Sequence, residues 1–227
     1  MSITALCDLA HRLSINSKER KPQKDLQDFL NTQRPMPLTL YGGARTRASM
    51  PRWYMEEKGI AYDWRMLDMA AGEHSREPFL SINPFGKLPA LVHDDPGLPG
   101  GRLQLFESGA ILLYLAELSG ECSRSDQRSL AAQWVLFANA TLATALFVPS
   151  NRDKEFPRLM GVLNGLLDGG RPLIGSDWGV ADCAVNAYLA YLPMFFPDLD
   201  LSPYPAVQAT ITATQARPAY RKVMGLG

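Results

Sequence analysis

Three stretches carry residue types suited to an anionic, amino-acid-like ligand. Gly42-Gly-Ala-Arg-Thr-Arg-Ala-Ser49 follows a short apolar run and precedes a helical pattern, so a glycine-bearing loop opens onto a helix N-terminus. Free backbone N–H groups there, with Arg45 and Arg47, would stabilise an anion such as a thiolate, and Thr46 adds a hydroxyl donor. A phosphate cradle is a rival reading, but GxGxxG and GxxxxGK[ST] are both absent; arginines merely solvated on a loop are the plainer one. In Asn83-Pro-Phe-Gly-Lys-Leu-Pro-Ala-Leu91, Pro89 opens a strand behind an apolar residue. It is either a cis proline that turns the Leu88 N–H and C=O toward an extended peptide, or an ordinary loop-to-strand proline. At Phe106-Glu107-Ser108 a strand gives way to a helix whose first N–H groups are free and whose dipole favours an anion. Ser108 for a carboxylate and Glu107 for an ammonium suit a head group carrying both charges; a capping pair without a ligand reads equally well.

These stretches need elements to hold them. Leu38–Tyr41 reads as a strand and 49–58 as a helix stopped by Gly59. Residues 61–69 alternate as a second strand, and 72–80 read as a polar, partly helical connection. Residues 88–92 and 103–106 form a hairpin across the turn-rich Asp94-Asp-Pro-Gly-Leu-Pro-Gly-Gly101, and 107–118 form a helix. The order is β-α-β-α-β-β-α. Beyond Ser125 strand signals vanish: helices are expected over 130–147, 154–168 and 203–224, and 180–192, apolar nearly all round, should be a buried central helix. The fold class is therefore α/β plus all-α. The expected division is an extension at 1–36, an α/β domain at 37–118, a linker at 119–125 and an all-helical domain at 126–227.

Twenty-three Lys+Arg balance 23 Asp+Glu, which argues against a protein built around nucleic acid or anionic lipid. Three dispersed cysteines, Cys7, Cys122 and Cys183, make neither a disulfide framework nor a zinc knuckle and fit a reducing compartment. Cys183 reads as a core residue and Cys122 as an exposable linker thiol. His93 beside Asp94 and Asp95 does not make a metal site, because adjacent side chains diverge. No uninterrupted apolar run reaches the roughly 18 residues that cross a bilayer. Residues 1–36 read as a poorly ordered appendage, with Met36 as an alternative natural start; acidic residues and the lack of an apolar core argue against a targeting signal.

Tyr41-Gly, Glu56-Glu-Lys-Gly59, Asn83-Pro-Phe-Gly-Lys-Leu-Pro89 and Phe106-Glu-Ser108, with the later Gly175-Ser-Asp-Trp-Gly-Val-Ala-Asp182 and Ala216-Arg-Pro-Ala-Tyr-Arg-Lys-Val223, resemble the cytosolic glutathione transferase family in order and spacing from about residue 38 to 224. The resemblance implies a thioredoxin-like domain followed by a helical domain, a cytoplasmic homodimer, glutathione as co-substrate and no metal. It implies conjugation of the glutathione thiolate to small electrophiles, with glutathione-dependent peroxide reduction as a related activity. Leu88 would pair with the cysteinyl backbone, Pro89 would be cis, Glu107 and Ser108 would hold the γ-glutamyl end, and Lys87 the glycine carboxylate. Asp182 falls at a helix-capping position, a folding role. The first loop departs from the pattern: where members carry an activating Ser, Cys or Tyr, this chain has Arg45 with Thr46 beside it, so activation falls to Arg45, Thr46 or Ser49. Gly179 stands where the capping Ser or Thr is usual. Arg47, Phe137 and Thr141 are candidate second-substrate contacts from helix position. A non-catalytic version of the fold, binding glutathione, another ligand or a protein, is the alternative.

Overall fold

A computed structural model describes residues 38–226; the expectations for residues 1–36 lie outside them. Strand β1 (Leu38–Gly42) buries alternate residues, and helix α1 (Ser49–Lys58) crosses over to the parallel strand β2 (Asp63–Met66). α1 places Met50, Trp53, Tyr54 and Met55 in the core and ends at Gly59, whose φ of 64° is a left-handed stop that glycine adopts without a Cβ clash. β3 (Ala90–Asp94) and β4 (Arg102–Phe106) form the expected hairpin, and the sheet order is β2-β1-β3-β4. β3 is central and buried along Ala90–His93. Helix α2 (Ser108–Leu118) covers the sheet with Ile111, Leu112, Leu115 and Ala116. The connection at 72–80 contains only two 3-10 turns, Glu73–Ser75 and Phe79–Ser81; Gly72 and Pro78 punctuate it too closely for an α-helix.

The second layer is helical. α3 (Ser125–Leu136) runs through a π-helical turn (Phe137–Leu142) into α4 (Ala143–Phe147), and α5 is Pro149–Leu166. Pro149 opens the next helix, a position where proline's missing N–H would be unpaired anyway. By length and composition the 23-residue stretch Ser125–Phe147 is long and apolar enough to cross a bilayer, unlike the sequence expectation, which counted only uninterrupted apolar runs. Here Ala131, Val135, Ala138, Leu142 and Leu146 line its buried face in the helical core. α6 (Val180–Phe195) is buried without interruption from Val180 to Leu192, as its all-round apolar pattern predicts. α7 (Pro205–Ala216) and α8 (Pro218–Met224) complete the chain.

Polar clasps tie the layers together. Arg217, preceding α8, makes a two-pronged bond to Glu57 of α1 at 2.6 and 2.8 Å, and Glu57 also accepts from the Trp53 indole N–H at 2.8 Å. Glu121 in the linker accepts from the Tyr54 hydroxyl at 2.7 Å and from the Val180 N–H at 2.6 Å, and lies 2.9 Å from Lys58 Nζ. This carboxylate explains Gly179. Glu121 occupies the space of the missing cap side chain: a Cβ on Gly179 would collide with Glu121 Oε1 and come within 2.9 Å of its Cδ. Asp182 supplies the other half of the cap, accepting from Gly179 N–H at 3.0 Å and Leu173 N–H at 2.9 Å. Cys122 is buried, 4% exposed, so the sequence expectation of an exposable linker thiol is corrected; the linker turns this side chain into the hydrophobic core.

Candidate active site

The register of β3 gathers the three candidate stretches. Ala90 lies opposite Tyr41 of β1 and opposite Phe106 of β4. Leu88–Pro89, the loop after Gly42, and Glu107–Ser108 therefore emerge at one end of the sheet. Direct contact agrees: a Cβ on Gly43 would lie 3.2 Å from Leu88 Cδ1. The Leu88–Pro89 bond is cis. Among the described residues neither the Leu88 N–H nor its C=O has a hydrogen-bond partner. Buried Asn83 shapes this turn, donating to the Lys87 C=O at 2.7 Å and accepting from Phe85 N–H at 3.1 Å. In the sequence Asn83 stands out only as part of a motif; an Asn opening Asn-Pro-Phe-Gly, able to accept from the backbone two residues on, was the available signal. Lys87 is exposed.

At the adjacent corner Glu107 holds φ 68° and ψ 121°, a region costly for any residue with a Cβ. The first intrahelical bond of α2 is Ile111 N–H to Glu107 C=O, which leaves the first-turn N–H groups of Ser108, Gly109 and Ala110 facing outward from the ladder. Ser108 is buried, and its Oγ accepts a 3.5 Å bond from Asn139 Nδ2, whose Oδ1 accepts from Tyr188 at 2.8 Å. Asn139 sits on the π-helical turn, so the extra residue of that turn brings an amide between the α2 corner and α6. No propensity signal announces a π turn.

The first loop is stapled by Thr46. Its hydroxyl donates to Gly43 C=O at 2.9 Å and accepts from the Gly43 and Ala48 N–H groups at 3.2 and 3.4 Å. Arg45 takes a left-handed φ of 55°, and Arg45 and Arg47 are exposed and make no ion pair among the described residues. Ser49 donates to Thr46 C=O at 3.2 Å and meets the Tyr191 hydroxyl at 2.6 Å. Its hydroxyl is therefore engaged with α6.

Beside this loop lies a cavity of about 910 Å³. Gly43, Arg45, Thr46, Arg47 and Ser49 form one wall. Phe147, Tyr188, Tyr191, Met194 and Phe195 form the facing wall, and Arg52, Trp64, Met66 and Met224 close a third side. Phe137 and Thr141 do not line it: Phe137 packs edge-on against Trp134, ring centroids 5.6 Å apart, and Thr141 is exposed elsewhere on its helix. The second wall instead comes from α6, whose tyrosines sequence reasoning read only as core. Lys87, Leu88, Pro89, Glu107 and Ser108 are not in the lining either; they lie at the sheet end that the first loop shares with the cavity. Burial pushes the Tyr188 phenol up to about 12, against the lowering field of Arg47. Burial likewise raises Tyr191, against its Ser49 bond. Both phenols stay protonated at neutral pH. Their hydroxyls are committed to Asn139 and Ser49, so the wall presents rings. Among the described residues no three His, Cys, Asp or Glu side chains are grouped to hold a metal ion.

Residues 36–117 match the family described as Glutathione S-transferase, N-terminal domain. The chain is 34% identical over 187 residues to Disulfide-bond oxidoreductase YfcG of Escherichia coli K12, covering 73% of this chain and 84% of that protein. Its fold matches the crystal structure of a glutathione transferase family member from Pseudomonas fluorescens Pf-5 with two glutathione bound, at TM-score 0.69 and 27% identity over 88% of this chain and 97% of that one. A glutathione transferase from Pseudomonas putida with one glutathione disulfide bound per subunit matches at TM-score 0.67 and 26% identity, covering 88% and 95%. The fold, the ordered motifs and a relative matched over 84% of its length together place this chain in the glutathione S-transferase family.

Proposed function

We propose that this chain binds glutathione along the sheet end formed by the first loop, Leu88–Pro89 and Glu107–Ser108, and directs its thiolate at a small electrophile seated in the neighbouring cavity. The observation that carries the reading is the unpaired Leu88 amide, placed by the β3 register between a positively charged loop and a free helix N-terminus. Leu88 N–H and C=O would pair with the cysteinyl residue as an added strand. Glu107 would take the γ-glutamyl ammonium, the α2 corner with Ser108 its carboxylate, and Lys87 the glycine carboxylate.

A free thiol titrates near pH ~8.5, and lowering that by two units takes about 2.7 kcal/mol of preferential anion stabilisation. The Thr46 hydroxyl already donates to Gly43 C=O. Turning it to sulfur sacrifices that bond, so its net contribution is small. Arg45, with the unbonded amides of the loop, therefore carries the larger share. The thiolate then attacks the electrophilic carbon: the C–S bond forms, and the leaving group departs with its electron pair.

Titration of the bound thiol by thiolate ultraviolet absorbance tests this. Arg45→Ala should raise the thiol pKa by about one unit and Thr46→Val by less than about half a unit. Unchanged values in both variants refute the assignment. A second reading, disulfide reduction by thiol exchange, is favoured by the 34% identity to a disulfide-bond oxidoreductase. Here two glutathiones are oxidised to one disulfide as the substrate disulfide is reduced. Turnover of a model disulfide exceeding that of aryl halides would select it.

A further inference from the structure

The cavity's wall has a chemistry of its own, and what it says about the second substrate rests on the glutathione reading above. Three guanidinium groups, from Arg45, Arg47 and Arg52, line it, and among the described residues no Asp or Glu does. Arg52 spends its Nε on the Tyr62 hydroxyl at 3.0 Å and lies over the Trp64 ring with Cζ 4.4 Å from the centroid. Its terminal nitrogens have no hydrogen-bond partner among the described residues. Arg47 stands with Cζ 5.9 Å from the Tyr188 ring centroid. The carboxylate nearest Arg52 along α1 is Glu56, engaged by Lys222 at 2.7 Å and by the Tyr62 hydroxyl at 2.8 Å. Glu107 lies outside the lining, at the head-group corner.

The remaining wall is aromatic and sulfur-bearing. Tyr191 and Phe195 meet edge to face at 5.9 Å, and Phe147 meets Phe195 at 5.8 Å. With both tyrosine hydroxyls tied back, the cavity offers rings for stacking and guanidinium forks as its charged donors. A neutral ligand would displace water from those forks and return at best a neutral hydrogen bond, whereas a carboxylate replaces the lost water with a stronger charge-assisted pair. We infer that the second substrate is an aromatic electrophile bearing a carboxylate, held by Arg52 or Arg47 while its ring lies against the α6 wall.

The test uses para-chloro-meta-nitrobenzoate and its methyl ester, which share one reacting carbon. In each, the glutathione thiolate forms the C–S bond, and chloride leaves with the C–Cl electron pair. Rates are normalised to uncatalysed thiolysis. The carboxylate should be preferred by about tenfold in kcat/KM. That preference should fall about tenfold in Arg52→Gln or Arg47→Gln and shrink with added salt in the unmodified chain. A preference for the ester, or a carboxylate preference that neither substitution nor salt reduces, overturns the inference. Arg47 is exposed on a loop, so its variant and the salt series keep the test decisive if Arg52→Gln fails to fold. Calorimetry with glutathione, run alongside, separates the two readings. Absent glutathione binding defeats the proposed function. Intact glutathione binding with the ester preferred defeats only the anion inference. Binding of glutathione disulfide but not of the aromatic carboxylate would assign the arginines to peptide carboxylates and likewise overturn it.

Discussion

Glu121→Ala removes the carboxylate that joins α1, the linker and the start of α6. Two of its bonds come from buried donors: the Tyr54 hydroxyl at 2.7 Å and the Val180 N–H at 2.6 Å. Hydrogen bonds to a charged group contribute about 1.5–3 kcal/mol each. Tyr54, fully buried, keeps a second partner in Ser119 at 3.0 Å, whereas Val180 N–H is left with none. The Lys58 pair, at 2.9 Å with both side chains about a quarter exposed, adds less than about 1 kcal/mol. The loss should therefore be about 3–5 kcal/mol, which for a chain of this length lowers Tm by roughly 6–20 °C. Chemical denaturation followed by circular dichroism and by tryptophan fluorescence measures it. Glu121→Gln, which keeps an acceptor for Val180, should fall between the two. A loss under about 1 kcal/mol in the alanine variant would refute the claim that this carboxylate replaces the missing N-cap. α1 begins at the first loop and α6 carries the facing wall, so the same variant should raise KM for the second substrate.

Gly109→Ala should destabilise by about 1–3 kcal/mol and weaken glutathione binding in calorimetry. Its Cβ would collide with Asn139 Nδ2 and sit 2.8 Å from Val135 Cγ1, forcing α2 away from α3 and its π-helical turn and disturbing the Ser108–Asn139–Tyr188 chain. Acid should loosen the contact between α1 and α8. Burial alone would raise the Glu57 carboxyl, but the Arg217 fork and the Trp53 N–H outweigh it and hold the group below its usual value. A folded pKa below the unfolded one gives stability that is present above the unfolded value, about 4.3, and lost as pH falls through the lower folded value. Denaturation midpoints measured from pH 6 down to 3 should fall, and Glu57→Gln should flatten that fall.

What the sequence revealed follows from how local each signal was. β1 announced itself by an apolar run cut by glycines, α1 by its stop at Gly59, and α6 by apolar residues on every face; all three are local patterns. The sheet end was legible because Leu88–Pro89 and Glu107–Ser108 each flank a strand terminus. Gly179 looked like a weakened cap because its replacement, Glu121, acts from 58 residues earlier in the chain, and no local window holds both. Phe137 and Thr141 were placed by helical phase; the cavity draws its second wall from α6 instead. Tyr188 and Tyr191 are core residues by burial and cavity residues by position, and composition cannot separate those two roles. The 72–80 connection, read as polar and partly helical, holds two 3-10 turns and no α-helix, because Gly72 and Pro78 interrupt it before a full α-turn can close.

Glu107 joins backbone strain to binding. With φ 68° and ψ 121° it occupies a region where a Cβ costs about 1–3 kcal/mol, and it is held there between a paired strand end at Phe106 and the buried Ser108. Glycine is the residue that would relieve that cost, at about 0.5–1 kcal/mol of added chain entropy. Glu107→Gly should therefore be more stable than Glu107→Ala by about 1 kcal/mol, although glycine is ordinarily the more destabilising choice. Both variants lose the carboxylate and should weaken glutathione binding alike. Stability by urea denaturation and affinity by calorimetry read the two effects separately. Equal stability of the glycine and alanine variants would mean that the corner relaxes in solution. In that case the outward set of the α2 first-turn amides, on which the head-group assignment depends, would lose its support.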